Sequence, residues 1–163
     1  MKKFLGVSCF VLSLLFAIPA HLWAQSQKVF QTKYTIIYYT DEKDIDDFIW
    51  RLGGQKLEFV QDPQLASHRI DRLVDRVQAI LDMWPKNFQI AVYLHRGPLS
   101  PNEAAFYEKS EKAIHVSVDY ASDGVMAHEI AHASINQYFL TPPPSKIQEI
   151  LAQYVDKNLW SDY

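Results

Sequence analysis

The sequence predicts an α+β domain in which a small mixed sheet of about four strands packs against helices. Segments rich in β-branched and aromatic residues alternate with segments whose apolar residues recur every three or four positions. These two patterns are typical of strands and of helices, respectively. Two helical segments close the chain on either side of a proline-rich turn. Because the strands come before these paired helices, the α+β class is favoured.

The first half of the chain contains one predicted strand and two predicted helices. Residues 33–40 (KYTIIYYT) are rich in β-branched and aromatic residues, which favours a strand. Residues 41–54 begin with acidic residues and end in two glycines, as a short helix does. Between about residues 67 and 84 an apolar stripe predicts a second helix, which Pro85 ends. The stripe consists of Ile70, Leu73, Val74, Val77, Ile80 and Leu81.

The second half begins with an alternating segment at residues 87–95, which predicts a strand. A hairpin is predicted next: a short strand through Phe106 and Tyr107 turns at EKSEK and returns at residues 113–119. Alternate residues of the returning strand share a face. One face consists of Ile114, Val116 and Val118, and the other of His115, Ser117 and Asp119.

Two antiparallel helices are predicted at the C-terminal end. Ser122 or Asp123 can cap the first helix, which should run to about residue 138 or 140. The segment TPPP at residues 141–144 prevents this helix from continuing. Ser145, with Gln148 three residues later, matches a capping box, so the last helix is expected from residue 145 to about 159.

The N-terminal 24 residues have the organisation of a secretory signal peptide. Lys2 and Lys3 precede an apolar run, and Ala24 offers a small residue at the cleavage site. A single membrane-spanning anchor is the alternative, but the run is short and Pro19 interrupts it. We therefore expect an exported protein, periplasmic or secreted, without a stable membrane anchor after cleavage. Residues 25–163 are expected to form a single domain.

Composition excludes some classes of partner and of metal site. The only cysteine, Cys9, lies in the predicted signal peptide, so a metal site in the mature chain would use His, Asp and Glu. Without Lys2 and Lys3 the chain keeps 14 of its 16 basic residues against 19 acidic ones, a formal charge of −5. Because there is no basic stripe, nucleic acid is not an expected partner.

The segment HEIAH at residues 128–132 carries the chemistry of the sequence. On a helix, residues four apart lie on one face, so His128 and His132 can point two imidazoles at one metal ion. Glu129 is rotated by about a hundred degrees from His128. It can therefore flank the ion and accept a proton from a water molecule held there.

Catalytic zinc usually has three protein ligands and one open position, so two histidines are not sufficient. Glu149, in the first turns of the last helix, can supply the third ligand because the proline turn brings that helix back alongside the first. Asp156, seven residues further, is a poorer choice because it lies far along the helix. The alternative for Glu149 is a favourable interaction with the helix dipole.

The segments VMAHEIAHASINQYF and IQEILAQYV together resemble the gluzincin metallopeptidases, in which HExxH is followed by Glu-x-x-Ala. The similarity is greatest to the small one-domain minigluzincins and to peptidase-MA-like domains, and it spans about residues 88–159. It implies that His128, His132 and Glu149 bind zinc and that Glu129 is the general base.

The resemblance also implies where substrate binds. The strand at residues 113–118 would be the sheet edge to which a peptide adds by β-augmentation. Its predicted substrate-binding residues are Ala113, Ile114, His115, Val116 and Ser117. Tyr154 would support the site.

The chain departs from the gluzincin pattern in two places. Some gluzincins carry an aspartate four residues after the third ligand, and this chain has Gln153 there. A glutamine oxygen can accept the same N–H bond but carries no charge. The oxyanion partner supplied by a following domain in larger gluzincins would have to come from Tyr107, His115, Tyr138 or Tyr154.

The sequence leaves three hypotheses for function. The first is zinc-dependent hydrolysis of peptide bonds in a peptide or protein substrate. The second is a zinc-stabilised module that binds peptides or cell-envelope partners and cuts poorly or not at all. The third is hydrolysis of another substrate class, because a zinc site of this kind is not selective by itself. His68 and His95 are expected to be surface residues, and the acidic segment at residues 41–47 lacks the glycine and final glutamate of a calcium loop.

Overall fold

A computed structural model describes residues 27–53, 62–101 and 103–161. The predicted signal peptide, Cys9 and the second glycine of the predicted helix stop lie outside the described residues. Five strands are present: β1 (Lys28–Gln31), β2 (Thr35–Tyr39), β3 (Ile90–His95), β4 (Ala105–Glu108) and β5 (Ala113–Ser117). Four helices accompany them: α1 (Glu42–Arg51), α2 (Pro63–Leu81), α3 (Asp123–Tyr138) and α4 (Ser145–Asn158).

The strands form one mixed sheet in the order β1-β2-β3-β5-β4. The three central strands β2, β3 and β5 are parallel, and β1 and β4 pair antiparallel at the two edges. The predicted α+β class with a mixed sheet is confirmed. The additional strand is β1, which is only four residues long and has two polar positions, so its alternation is too short to stand out in the sequence.

The core lies between the sheet and the helices. Alternate residues of the central strands point into it, and Ile37, Val92 and Ile114 are almost fully buried. The helices bury complementary residues at helical spacing in the same core, including Phe48, Ile49, Val74, Val77, Ile130 and Ile135. None of the helices in the described part of the chain is long and apolar enough to cross a membrane.

The opposite side of the sheet carries a row of stacked rings across four strands. Tyr38, Tyr93, His115 and Phe106 occupy paired positions of β2, β3, β5 and β4. Neighbouring ring centroids lie 4.8, 5.0 and 4.9 Å apart along this row. His95 joins it, with Nε2 3.1 Å from Nδ1 of His115. His95, expected to be a surface residue, is partly buried and has His115 as a partner.

Several predicted boundaries differ from the structure. The second helix begins at Pro63, capped by Asp62, and ends before Asp82, which adopts a left-handed conformation three residues before Pro85.

The Ser122 cap is confirmed, because its hydroxyl accepts the N–H of Val125. The predicted capping box is wrong. Pro144 occupies the cap position of α4, so Ser145 is already helical.

The expectation that residues 113–118 form a sheet edge is also wrong. Strand β5 lies between β3 and β4 and pairs with both, so its backbone cannot accept another strand. The edge on this side of the sheet is β4. In the predicted hairpin, which is confirmed, the first strand and not the returning strand is therefore exposed at its edge.

Candidate metal centre

Helix α3 presents one polar stripe beside a buried apolar surface. Its buried residues are Met126, Ala127, Ile130, Ala131, Ala133, Ser134 and Ile135. Three of them are alanines, which allow the neighbouring elements to approach closely. His128, Glu129 and His132 remain partly exposed on the other side of the helix. The local sequence thus fixes which side chains face the core and which remain available for chemistry.

Helix α4 returns antiparallel along α3 after the proline turn. The Nδ2 of Asn136, near the end of α3, donates to Oε1 of Gln148, near the start of α4, over 2.8 Å. At the opposite end, Nδ1 of His128 lies 3.1 Å from Oδ2 of Asp156. The predicted antiparallel pair is confirmed, and Ala152 and Val155 bury its inner surface.

Three ligand groups converge between these helices. Nε2 of His128 lies 3.3 Å from Nε2 of His132. One carboxylate oxygen of Glu149 lies 3.4 Å from His128 Nε2, and the other lies 3.2 Å from His132 Nε2. One ligand atom from each of the three residues lies within 4.8 Å of the other two, so the group could hold a metal ion. This is the convergence that the sequence predicted.

Each imidazole is also contacted by a side chain of α4. The carboxylate of Asp156 accepts from Nδ1 of His128, and the side chain of Gln148 hydrogen-bonds His132. Gln148 is itself fixed, because its Nε2 donates to the carbonyl of Pro143. Such partners orient ligand imidazoles and increase their basicity.

Asp156 is the functional residue that sequence reasoning missed. The sequence favours it only as a poorer third ligand, whereas the structure places it on the far side of His128 from Glu149. Gln153, where the gluzincin pattern has its aspartate, is exposed. The available signal was the seven-residue spacing of Glu149 and Asp156, which puts both carboxylates on one face of α4 two turns apart.

Glu129 has the electrostatics of a general base. Burial raises the pKa of its carboxyl group to about 7, more strongly than any neighbouring charge. A positive charge on His128 and the backbone N–H of Tyr107 act in the opposite direction, and the negative charges of Glu149 and Asp156 raise the pKa further. A base with a pKa near neutrality can both accept and return a proton at physiological pH.

Burial also lowers the pKa of His132, while the nearby carboxylate of Glu149 raises it. The net effect favours the neutral imidazole, which is the form that binds metal ions.

A cleft of about 290 Å³ opens beside His128, one of the three candidate ligands. It is lined by Glu103, Ala104, Ala105, Gly124, Val125, His128, Glu129 and Asp156. A larger groove of about 820 Å³ follows α2 and includes none of the ligand residues. The smaller cleft is therefore the one in which a substrate could meet the metal centre.

The structure separates the predicted substrate residues from this cleft. Ala113, Ile114, Val116 and Ser117 are buried in an interior strand. His115 stacks between Tyr93 and Phe106 on the other side of the sheet. Tyr154 is half exposed on α4. Among the predicted oxyanion candidates, Tyr107 is the one whose backbone contacts Glu129.

Comparison of the chain with protein-family models, with curated proteins and with solved structures finds no match. The similarity to gluzincins therefore remains a prediction from the HEIAH and EILA segments. The convergence of His128, His132 and Glu149, with Glu129 beside them, stands independently of that similarity. This arrangement can bind a metal ion and place a carboxylate base next to it.

Proposed function

We propose that this protein is an exported zinc-dependent metallopeptidase that hydrolyses peptide bonds with Glu129 as general base. The observation that carries the proposal is the convergence of His128, His132 and Glu149. The two imidazole Nε2 atoms lie 3.3 Å apart, and each lies 3.2 to 3.4 Å from a carboxylate oxygen of Glu149. For ligands placed tetrahedrally about 2.0–2.1 Å from an ion, neighbouring ligand atoms lie about 3.3–3.4 Å apart. Zinc held by these three residues would keep one position open for a water molecule or substrate.

The ligand types favour zinc over other common cations. Two imidazoles and one carboxylate form a typical set for catalytic zinc. Calcium takes six to eight oxygen ligands, and magnesium prefers carboxylates, phosphates and water. Nδ1 of His128 also has a carboxylate partner, Asp156, as the second nitrogen of a metal-binding histidine usually does.

Zinc bound here would supply Lewis acidity, which lowers the pKa of a coordinated water molecule to about 7. The chain's own contribution is proton transfer and orientation. Glu129 accepts the proton of the attacking water and then returns it to the leaving amine nitrogen. The Tyr107 N–H and partial burial hold this carboxylate in place beside His128.

Substrate would bind along β4, because β4 and not the predicted strand β5 lies at the edge of the sheet. The N–H of Ser117 donates to the carbonyl of Ala104, so the backbone groups of Ala104 face β5. Antiparallel strands alternate between inward and outward positions, so Ala105 and Tyr107 direct their backbone groups away from β5. The Tyr107 N–H already binds Glu129, which leaves the backbone groups of Ala105 and the carbonyl of Tyr107 for a substrate strand. An extended peptide could add at this edge, beside the cleft that contains Glu129.

The proposal can be tested by comparing the wild type with Glu129→Gln. Purified protein is analysed for bound zinc and then incubated with a random peptide library whose products are identified by mass spectrometry. We expect both proteins to bind zinc and only the wild type to cleave. Glu111→Gln, on the exposed hairpin turn, is the matched control and should cleave normally.

The outcomes separate the hypotheses. Zinc binding without cleavage by the wild type would favour the zinc-stabilised binding module. Cleavage that persists in Glu129→Gln would remove the general-base role. Export has its own readout, because removal of residues 1–24 leaves a mature protein whose first residue is Gln25.

A further inference from the structure

Gly124 is a partly exposed residue near the start of α3. It precedes His128 by four residues and His132 by eight, so all three share one face of the helix. It also lines the cleft beside the metal centre. No step of the proposed mechanism uses this residue.

Neither the backbone nor the packing of the described residues requires a glycine here. Among the described glycines, Gly97 has the positive φ that favours glycine. Gly124 lies within α3, and its φ is not positive. A Cβ built on Gly124 would meet Ser122 Oγ at 4.0 Å, which is an ordinary contact. Glycine is also less favourable than alanine within a helix. A side chain at this position would occupy the cleft.

We infer that Gly124 keeps open a subsite for one substrate side chain next to the metal centre. The inference rests on the proposed function, because it assigns the cleft to the same substrate. Ala104 and Ala105 form another small-residue wall of the cleft. Its volume of about 290 Å³ lies at the lower end of ligand pockets, so it accommodates a single residue.

The charge of the lining determines which side chains enter. Glu103 and Asp156 contribute carboxylates, and none of the described lining residues is a lysine or an arginine. Glu103 is held in place, since Ser100 Oγ donates to it over 2.9 Å. An acidic substrate side chain would meet like charges at close range. The subsite therefore accepts uncharged or basic side chains and rejects acidic ones.

Amino-acid hydroxamates test this subsite without requiring turnover, because the hydroxamate group binds the metal and the side chain can then enter the cleft. The N-acetyl hydroxamates of glycine, leucine, lysine and glutamate are titrated into zinc-loaded wild type, Gly124→Ala and Gly124→Val. We expect the glutamate compound to bind the wild type at least about tenfold more weakly than the leucine and lysine compounds.

In Gly124→Ala we expect the leucine and lysine compounds to lose about tenfold in affinity, while the glycine compound changes by less than about twofold. Zinc affinity should not change, and the melting temperature should stay equal or rise. Glu103→Gln should strengthen binding of the glutamate compound, and the control Glu111→Gln should not.

Unchanged side-chain preference in both Gly124 variants would place the subsite elsewhere and overturn the inference. If Gly124→Val fails to fold, Gly124→Ala decides the question alone. Failure of the proposed function has a different signature, namely a wild type that cleaves no peptide. The hydroxamate affinities still report on the subsite in that case.

Discussion

Replacing Asp156 with asparagine should weaken zinc binding although residue 156 never contacts the ion. Asp156 Oδ2 lies 3.1 Å from Nδ1 of His128, while Nε2 of the same ring faces Glu149. Asparagine keeps an oxygen that can accept the Nδ1–H bond but removes the negative charge. The substitution therefore isolates the electrostatic contribution of the carboxylate.

Two estimates give a similar size for the effect. A single negative charge about 7 Å from a divalent ion contributes about 1.2 kcal/mol at the dielectric constant of water. Loss of a partner behind a ligand histidine typically costs about 10- to 100-fold in metal affinity. Because the Asp156 side chain is 39% exposed, solvent screens the charge, and we expect a loss near the lower end, about tenfold.

The assay is competition for zinc between the protein and a chromophoric chelator at low ionic strength, repeated at high salt. Gln153→Ala is the matched control, because Gln153 lies on the same helix and is also exposed. It should bind zinc as the wild type does. If Asp156→Asn kept full zinc affinity, the assignment of Asp156 as the orienting residue would be refuted, and a loss in Gln153→Ala instead would transfer that role to Gln153.

Three further predictions concern stability. Zinc at about 100 times its dissociation constant should stabilise the fold by about 2.7 kcal/mol, and His128→Ala should abolish the resulting shift in melting temperature. Ser122→Ala removes the α3 cap and should cost about 1 kcal/mol in the free energy of unfolding, measured with urea. Hydrogen bonds from Lys43 and then Arg96 lower the pKa of Asp47. These hydrogen bonds stabilise the folded protein at pH values above the unfolded-state pKa of Asp47, about 4. The stabilisation is lost as the pH falls through the lowered pKa of Asp47 in the folded protein. Arg96→Met should therefore destabilise the protein more at about pH 6 than at about pH 2.5.

Helices and strands whose apolar residues recur at a regular spacing could be predicted from the sequence, and elements without such a spacing could not. The apolar stripe from Ile70 to Leu81 identified α2. The start signal of the helix, Asp62 as cap followed by Pro63, lies before this stripe, and the start was missed. Strand β1 is four residues long, so its alternation carried little information. The Ser145 capping box failed because the helix begins one residue earlier than the motif requires: Pro144 is at the cap position, and no side chain caps α4.

The metal ligands were predictable for local reasons. The spacing of His128 and His132 fixes their common face on any helix, and a short proline turn constrains where Glu149 returns. The order of β4 and β5 in the sheet is set by non-local pairing, so the hairpin sequence could not show which strand is at the edge. The partner of His128 depended on the register between two helices, which also lies beyond a local pattern.

Helix α4 determines the metal centre because it supplies both the third ligand and the residue behind His128. Glu149 and Asp156 contact the two nitrogens of one imidazole from positions two turns apart. A shift of α4 along α3 by one residue would move both carboxylates away from that ring. The helix is fixed at both ends: Gln148 donates to the carbonyl of Pro143, and Arg76 of α2 donates to the carbonyls of Asn158, Leu159 and Ser161. The contacts that hold α4 in register are therefore part of the metal site, although they lie outside the cleft.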